Sequence, residues 1–260
     1  MRLALGVGYR GEAYHGWQSQ PDRHTVQDRL EDALSRFADH PVRTVCAGRT
    51  DAGVHGLNQV VHLDVDIARE TQSWVRGVNR YLPPDIAVQW CTPVSDQFHA
   101  RFSAVGRRYA YLLLESPVRP GLEHGVAGWS FRPLDAQALQ AGAQCLIGEH
   151  DFSAFRSAQC QAKSPVKQLR SIAITRRGAY WRFEFDAGAF LHHMVRNLMG
   201  SLLAVGNGTR DAAWLAGVLA ARDRSLAAPT FPAAGLYFLG PYYDAGHAIP
   251  DRTAAMDWLP

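Results

Sequence analysis

Leu3, Leu5, Val7 and Tyr9 alternate with Arg2, Ala4, Gly6 and Gly8, a period of two that predicts a strand over residues 2–9. From Val26 the spacing becomes helical, with Val26, Leu30, Leu34 and Phe37 on one face up to about residue 38. Thr25, followed three residues on by Asp28, resembles the start of a capping box. Residues 42–47 read as a second strand, a glycine-punctuated loop runs from Gly48 to Gly56, and residues 59–65 read as a third strand. Trp74, Val78 and Leu82 mark a second helix that has to stop before Pro83 and Pro84, and residues 86–90 supply a fourth strand. Strand, helix, strand, strand, helix, strand is the split βαβ, or ferredoxin-like, order.

The same order of elements returns in the second half, without a repeat of the sequence itself. Tyr109, Tyr111 and Leu113 alternate over about 106–115, and Leu139, Ala143 and Leu146 share a helical face that Asp135 caps and Gly148 ends. Strands at about 168–176 and 180–187 form a hairpin across Arg177 and Gly178; helices at about 191–205 and 211–221 and a strand at 236–239 follow. The predicted fold class is α+β: two ferredoxin-like (RRM-like) βαββαβ halves, residues 1–103 and 104–245, whose antiparallel sheets flank a central active-site cleft, with 246–260 as a tail. Sheets of this kind are a platform for single-stranded RNA, because aromatic side chains on an open face stack on bases. Fold by itself does not settle function.

Composition narrows the class without naming a chemistry. At 260 residues, with 47% apolar and 20% charged residues, the chain can bury a proper core and has little room for long disorder. A net charge of +3 is too small to require a polyanionic partner. Of the 27 basic residues only Lys163 and Lys167 are lysines, so 25 are arginines, whose planar fork suits phosphate; a preference for arginine codons explains this equally well. Cys46, Cys91, Cys145 and Cys160 lie far apart with no C-x-x-C pair, which favours a reduced, cytoplasmic setting over a disulfide framework or a zinc knuckle. The apolar start is broken by Tyr9, Arg10 and Glu12, so neither a signal peptide nor a membrane span is expected.

The most informative segment is Ala47-Gly48-Arg49-Thr50-Asp51-Ala52-Gly53-Val54-His55-Gly56. Its three glycines let the backbone take positive φ and approach a ligand, around a single carboxylate. Arg49 is close enough in sequence to favour the ionised form of Asp51, which a nucleophile requires, and Thr50 is placed to orient it. Taken alone, the residues also fit a turn aspartate that accepts local N–H bonds. They fit a metal site poorly: beyond Asp51 and His55 there is no third ligand at a recognisable spacing, and His192 and His193 are adjacent rather than four apart.

The run AGRTDAGVHG at 47–56 resembles the signature of the tRNA pseudouridine synthase A family. It is joined by Tyr14-His15-Gly16-Trp17-Gln18, Phe98-His99-Ala100-Arg101-Phe102-Ser103, Arg107-Arg108-Tyr109, the run from Phe190 to Asn197, and Gly235-Leu236-Tyr237, in family order over nearly the whole chain. The resemblance implies an isomerase that converts uridines 38, 39 and 40 of the tRNA anticodon arm to pseudouridine, as a cytoplasmic homodimer, without cofactor or metal. It implies Asp51 as nucleophile, Arg49 as the residue that flips or replaces the target base, Tyr109 stacked on the uracil, Arg196 as the basic partner of Asp51, and Leu236 beneath the base. Without the resemblance, Tyr109 reads as a core strand residue, Arg196 as a solvated helix arginine and Leu236 as ordinary strand core.

The chemistry matches these residue types. Pseudouridine formation breaks the N1–C1′ bond, turns the uracil and rejoins it through C5, so nothing is oxidised and no group is imported. A carboxylate that acts at C1′ or C6, or assists loss of the uracilate, and a pocket for the detached base are what it needs. Extruding the base costs a few kcal/mol, which an arginine or aromatic ring filling the gap offsets in part. Phosphate contacts are expected among Arg101, Arg107, Arg108, Arg156, Lys163, Lys167 and Arg170. His192 and His193, as neighbours on a helix, should point in different directions, and neither is assigned a role. Two other classes remain open: a non-catalytic tandem RRM-like RNA-binding protein, which needs no particular carboxylate, and a metal-dependent hydrolase, which a chelator would stop.

Overall fold

The computed structural model describes residues 1–250. Backbone contacts group them into two compact units, one of Met1–Arg107 with the chain from Tyr237 onward, the other of Arg108–Leu236. The architecture is mixed α+β, with five α-helices among the described residues.

In the first unit, β1 (Arg2–Tyr9) lies antiparallel between β3 (His55–Asp64) and β4 (Ile86–Val94). The other edge of β3 is shared: β2 (Val45–Cys46) pairs antiparallel at Val61 and His62, while β10 (Leu236–Tyr243) pairs parallel at His55 and Gly56. Helices α1 (Val26–Ala38) and α2 (Thr71–Asn79) cover one face. Their Leu30, Leu34, Trp74 and Val78 bury against Leu3, Leu5 and Val7 of β1 and Val61 and Leu63 of β3, each worth about 1.5–3 kcal/mol as a fully buried apolar side chain. The opposite face is thinner, with Ala4, Val60, Trp90, Phe98 and Ala100 packed together and the Trp90 indole over Gly6.

The second unit holds β5 (Ala104–Glu115), whose first residues belong to the first unit, then β6 (Gly128–Ser130), β7 (Gly148–Asp151), β8 (Val166–Arg177) and β9 (Tyr180–Ala187). Its strand order is β5-β9-β8-β7, with β6 parallel to β5. Trp181, Phe183 and Phe185 of β9 are buried on one side, as their alternation predicts. Helix α3 (Ala136–Gln144) packs on α4 (Met194–Gly206) and α5 (Ala212–Ala221).

Caps and boundaries show where local pattern decides and where it yields. Thr25 accepts from the Asp28 N–H, Asp135 from Gln137 and Ala138, and Asp211 from Trp214, so α1, α3 and α5 start on a side-chain oxygen, whereas α2 and α4 have no side-chain cap. The expected strand at 42–47 shrinks to Val45–Cys46, because α1 takes its amides: Val42 N–H donates to Ser35 Oγ and Thr44 N–H to Glu31. Strand β3 begins at His55, not 59, because Tyr9 pairs with Gly56, and the loop ends at Val54. Helix α2 stops at Asn79; Leu82 lies beyond it yet still packs on the core. Gly148 opens β7 at φ +123° instead of ending α3, which finishes at Gln144. Helix α4 starts at Met194 rather than 191, because His193 sits at φ +63° in the left-handed region, off any helical path. The closing strand, expected in a half spanning 104–245, has Tyr237 and Phe238 paired with β3 of the first unit. Of the expected tail 246–260, residues 251–260 lie outside the described residues.

Candidate active-site loop

The segment from Ala47 to Val54 joins β2 to β3 and is anchored at both ends by backbone groups. Ala47 N–H donates to Val60 O at 2.8 Å, Gly48 N–H to the Gln59 side-chain oxygen at 3.3 Å, and Gln59 Nε2 donates back to Gly48 O. Further on, Trp17 N–H donates to Thr50 O at 3.0 Å, and Val54 N–H closes a turn onto Asp51 O at 3.1 Å. Gly53, third in that turn, stands at φ +79°, which a side chain would resist.

Asp51 is thereby fixed from its own backbone and from its predecessor. Thr50 is buried, and its Oγ1 shares a hydrogen bond of 2.8 Å with the Tyr9 hydroxyl at the end of β1. The loop's peptides also lie against Gly16, at φ +87°, where an added Cβ would stand 2.7 Å from Thr50 O and 3.1 Å from the Asp51 carbonyl carbon. Asp51 itself is half-buried and Arg49 exposed, so the carboxylate and the arginine keep a route to a ligand from solvent.

His55 closes the loop as a structural ring. It is buried, stacks on Tyr237 with centroids 4.7 Å apart, and its Nδ1 accepts the Gly11 N–H at 3.2 Å, which leaves that nitrogen unprotonated. Neither Cys46, which precedes the loop, nor Cys91 on β4 is a rival nucleophile. Burial pushes Cys46 up to about 11 and Cys91 up to about 12, so both stay protonated near neutral pH.

Arg107, expected among the phosphate contacts, has its guanidinium on backbone carbonyls. It donates to Ala47 O at 3.1 Å, to Ala104 O at 3.2 Å and to Arg101 O, tying the head of the loop to the Phe98–Ser103 segment. No sequence signal marked this clasp, nor the Tyr9 and Gly16 contacts, because each joins residues distant along the chain.

The remaining expected residues are placed as follows. Tyr109 is half-buried on β5, edge-on to Phe190 with centroids 5.1 Å apart. Arg196 lies in the first turn of α4, half-buried, with Nε donating to Phe231 O at 2.9 Å. Leu236 opens β10 and is 4% exposed. Arg101 is exposed, whereas the Arg108 Nε is buried without a hydrogen-bond partner among the described residues. Arg156 donates to Cys160 O, Lys167 to Ser164 O and Val166 O, and Arg170 pairs with Asp186; Lys163 is exposed. The rings of His192 and His193 are 4.1 Å apart rather than diverging, since both precede the helix. No helix among the described residues is long and apolar enough to cross a membrane.

The profile of the tRNA pseudouridine synthase family matches residues 7–103 and 143–244. A tRNA pseudouridine synthase A of Methylibium petroleiphilum is 74% identical over 260 residues, covering 100% of both chains. One of Polaromonas naphthalenivorans is 63% identical, again over 100% of each. Among solved structures, a chain of a Cbf5–Nop10–Gar1 complex aligns with TM-score 0.35 and 14% identity, over 77% of this chain and 45% of that one.

Proposed function

This chain belongs to the tRNA pseudouridine synthase family, and from that premise we propose that Asp51 is the nucleophile with which it isomerises uridines 38, 39 and 40 of the tRNA anticodon arm. The activity itself, conversion of uridine in tRNA to pseudouridine, makes the protein an isomerase. The observation that carries the residue assignment is the loop: a half-buried carboxylate whose backbone is held by Trp17, Val54 and, through Thr50, by Tyr9. A nucleophile that has to meet one atom of an extruded nucleotide gains from such fixing, because positioning removes much of the entropic part of a barrier.

In this reading Asp51 acts at the ribose C1′ or at C6 of uracil, and the N1–C1′ bond breaks. The base turns, C5 bonds to C1′ as the bond that Asp51 made to carbon is released, and the C5 proton leaves to solvent while N1 takes one up. Arg49, exposed on the same loop, fills the space the base vacates; Tyr109 stacks on the uracil, Leu236 packs beneath it, and Arg196 supplies the cationic partner that the family pattern assigns. Arg101 and Arg108 contact phosphate. Each unit is a ferredoxin-like half, a reading supported in the first unit by the strand order β4-β1-β3-β2. The working form is a cytoplasmic homodimer.

The test is tritium release from tRNA labelled at uridine C5, with purified protein and EDTA present. Release in step with pseudouridine formation is expected, and no release would contradict the reading. Arg107, which holds three carbonyls, is expected to act by keeping the loop in place. Arg107→Met should lower kcat about 10- to 100-fold while KM for tRNA and the dependence of affinity on salt stay near wild type. A raised KM with a salt slope reduced by about 1 would mark it as a phosphate contact instead.

A further inference from the structure

One side chain beside the loop has no part in the chemistry above. In the Phe98–Ser103 segment Phe98 and Ala100 are fully buried, yet Phe102 is 75% exposed. The segment is held firmly. Ala100 N–H donates to His62 Nδ1 at 3.1 Å, Tyr243 donates to Ala100 O at 2.7 Å, and Ser103 and His99 exchange bonds of 2.9 and 3.0 Å. Burial lowers the His62 pKa to about 4, so it remains a neutral acceptor at neutral pH. His99 Nδ1 accepts the Arg101 and Phe102 N–H groups at 3.2 and 3.3 Å, and its ring lies 4.3 Å from the Phe102 ring. The Arg101 guanidinium stands 5.6 Å from the Phe102 centroid.

Single exposed apolar residues are common and need no function. This one is backed by a second ring and flanked by an exposed cation, as Phe131 also is by Trp129 and Arg132, and it differs in being tied through Arg107 to the head of the Asp51 loop. A ring presented to solvent beside an arginine is the pairing that binds an unpaired nucleotide, base on the ring and phosphate on the guanidinium. We propose that Phe102 is a stacking contact for an unpaired base of the substrate tRNA, with Arg101 on an adjoining phosphate; this rests on reading the chain as a tRNA-modifying enzyme. The ledge sets binding and register and takes no part in bond breaking.

The experiment compares Phe102→Ala and Phe102→Trp in an Asp51→Asn background, so that binding is read without turnover. Phe102→Ala is expected to raise the Kd for tRNA about 10-fold, within the range of one base–aromatic stack. Phe102→Trp should keep the parent Kd, and its indole fluorescence should be quenched by added tRNA. With Asp51 restored, Phe102→Ala should raise KM with kcat within about two-fold of wild type. An unchanged Kd in Phe102→Ala, or an unquenched indole, would overturn the proposal. So would light scattering in which Phe102→Ala lowers the oligomeric state, which would assign the ring to a contact between copies. If the Asp51→Asn parent binds no tRNA at all, the failure belongs to the proposed function and not to the ledge.

Discussion

Asp51→Asn is expected to bind tRNA as tightly as the wild type and to release no tritium from C5-labelled substrate, a loss of at least about 1000-fold in turnover. The substitution is nearly isosteric and leaves the anchoring intact, because Val54 N–H bonds the Asp51 carbonyl and Trp17 N–H the Thr50 carbonyl, neither of which involves the carboxylate. What changes is chemical. An amide carries no negative charge and does not attack C1′ or C6. Stopped-flow or filter binding beside the tritium assay separates the two effects. Turnover at the wild-type rate would remove Asp51 from the mechanism, and lost binding would show the side chain to be part of the substrate grip.

Gly16→Ala is expected to cut kcat about 100-fold and to lower the midpoint of thermal unfolding by several degrees. The position combines two demands. Its φ of +87° costs any L side chain about 1–3 kcal/mol, and the new Cβ would lie 2.7 Å from Thr50 O, with the Asp51 carbonyl carbon and the Ala52 nitrogen each at 3.1 Å. These neighbours are backbone, so relief requires the loop itself to shift, and a displacement near 1 Å at a catalytic group is enough for a loss of that size. Thermal unfolding and steady-state kinetics on one preparation test it. A stable variant with wild-type kcat would show that the loop tolerates movement and that its packing on Gly16 is incidental.

The legible parts of this protein are those decided by near neighbours. The alternation of Leu3, Leu5 and Val7 and the spacing of Leu30 and Leu34 follow from which face each residue buries, so β1 and α1 fall where the pattern puts them. The caps at Thr25 and Asp135 are local as well. The loop around Asp51 was legible because glycines on either side of one carboxylate are a local requirement. What holds that loop was not: Tyr9 is 41 residues from Thr50, and Arg107 is 60 from Ala47. Long-range competition also explains the misplaced boundaries. Side chains of α1 took the amides that would have extended β2, and the parallel pairing of β10 with β3 joins the end of the chain to its first sheet. The left-handed turn at His193 left no mark, since histidine, though enriched in that region, adopts it too seldom for a single sequence to show it.

On the proposed reading, one carboxylate in this chain makes the pseudouridines of the anticodon arm. This is tested most directly by mapping pseudouridine, nucleotide by nucleotide, in tRNA from cells whose only copy of the protein carries Asp51→Asn. The predicted result is loss at positions 38, 39 and 40 with other tRNA pseudouridines untouched. Persistence of modification at those three positions would contradict it.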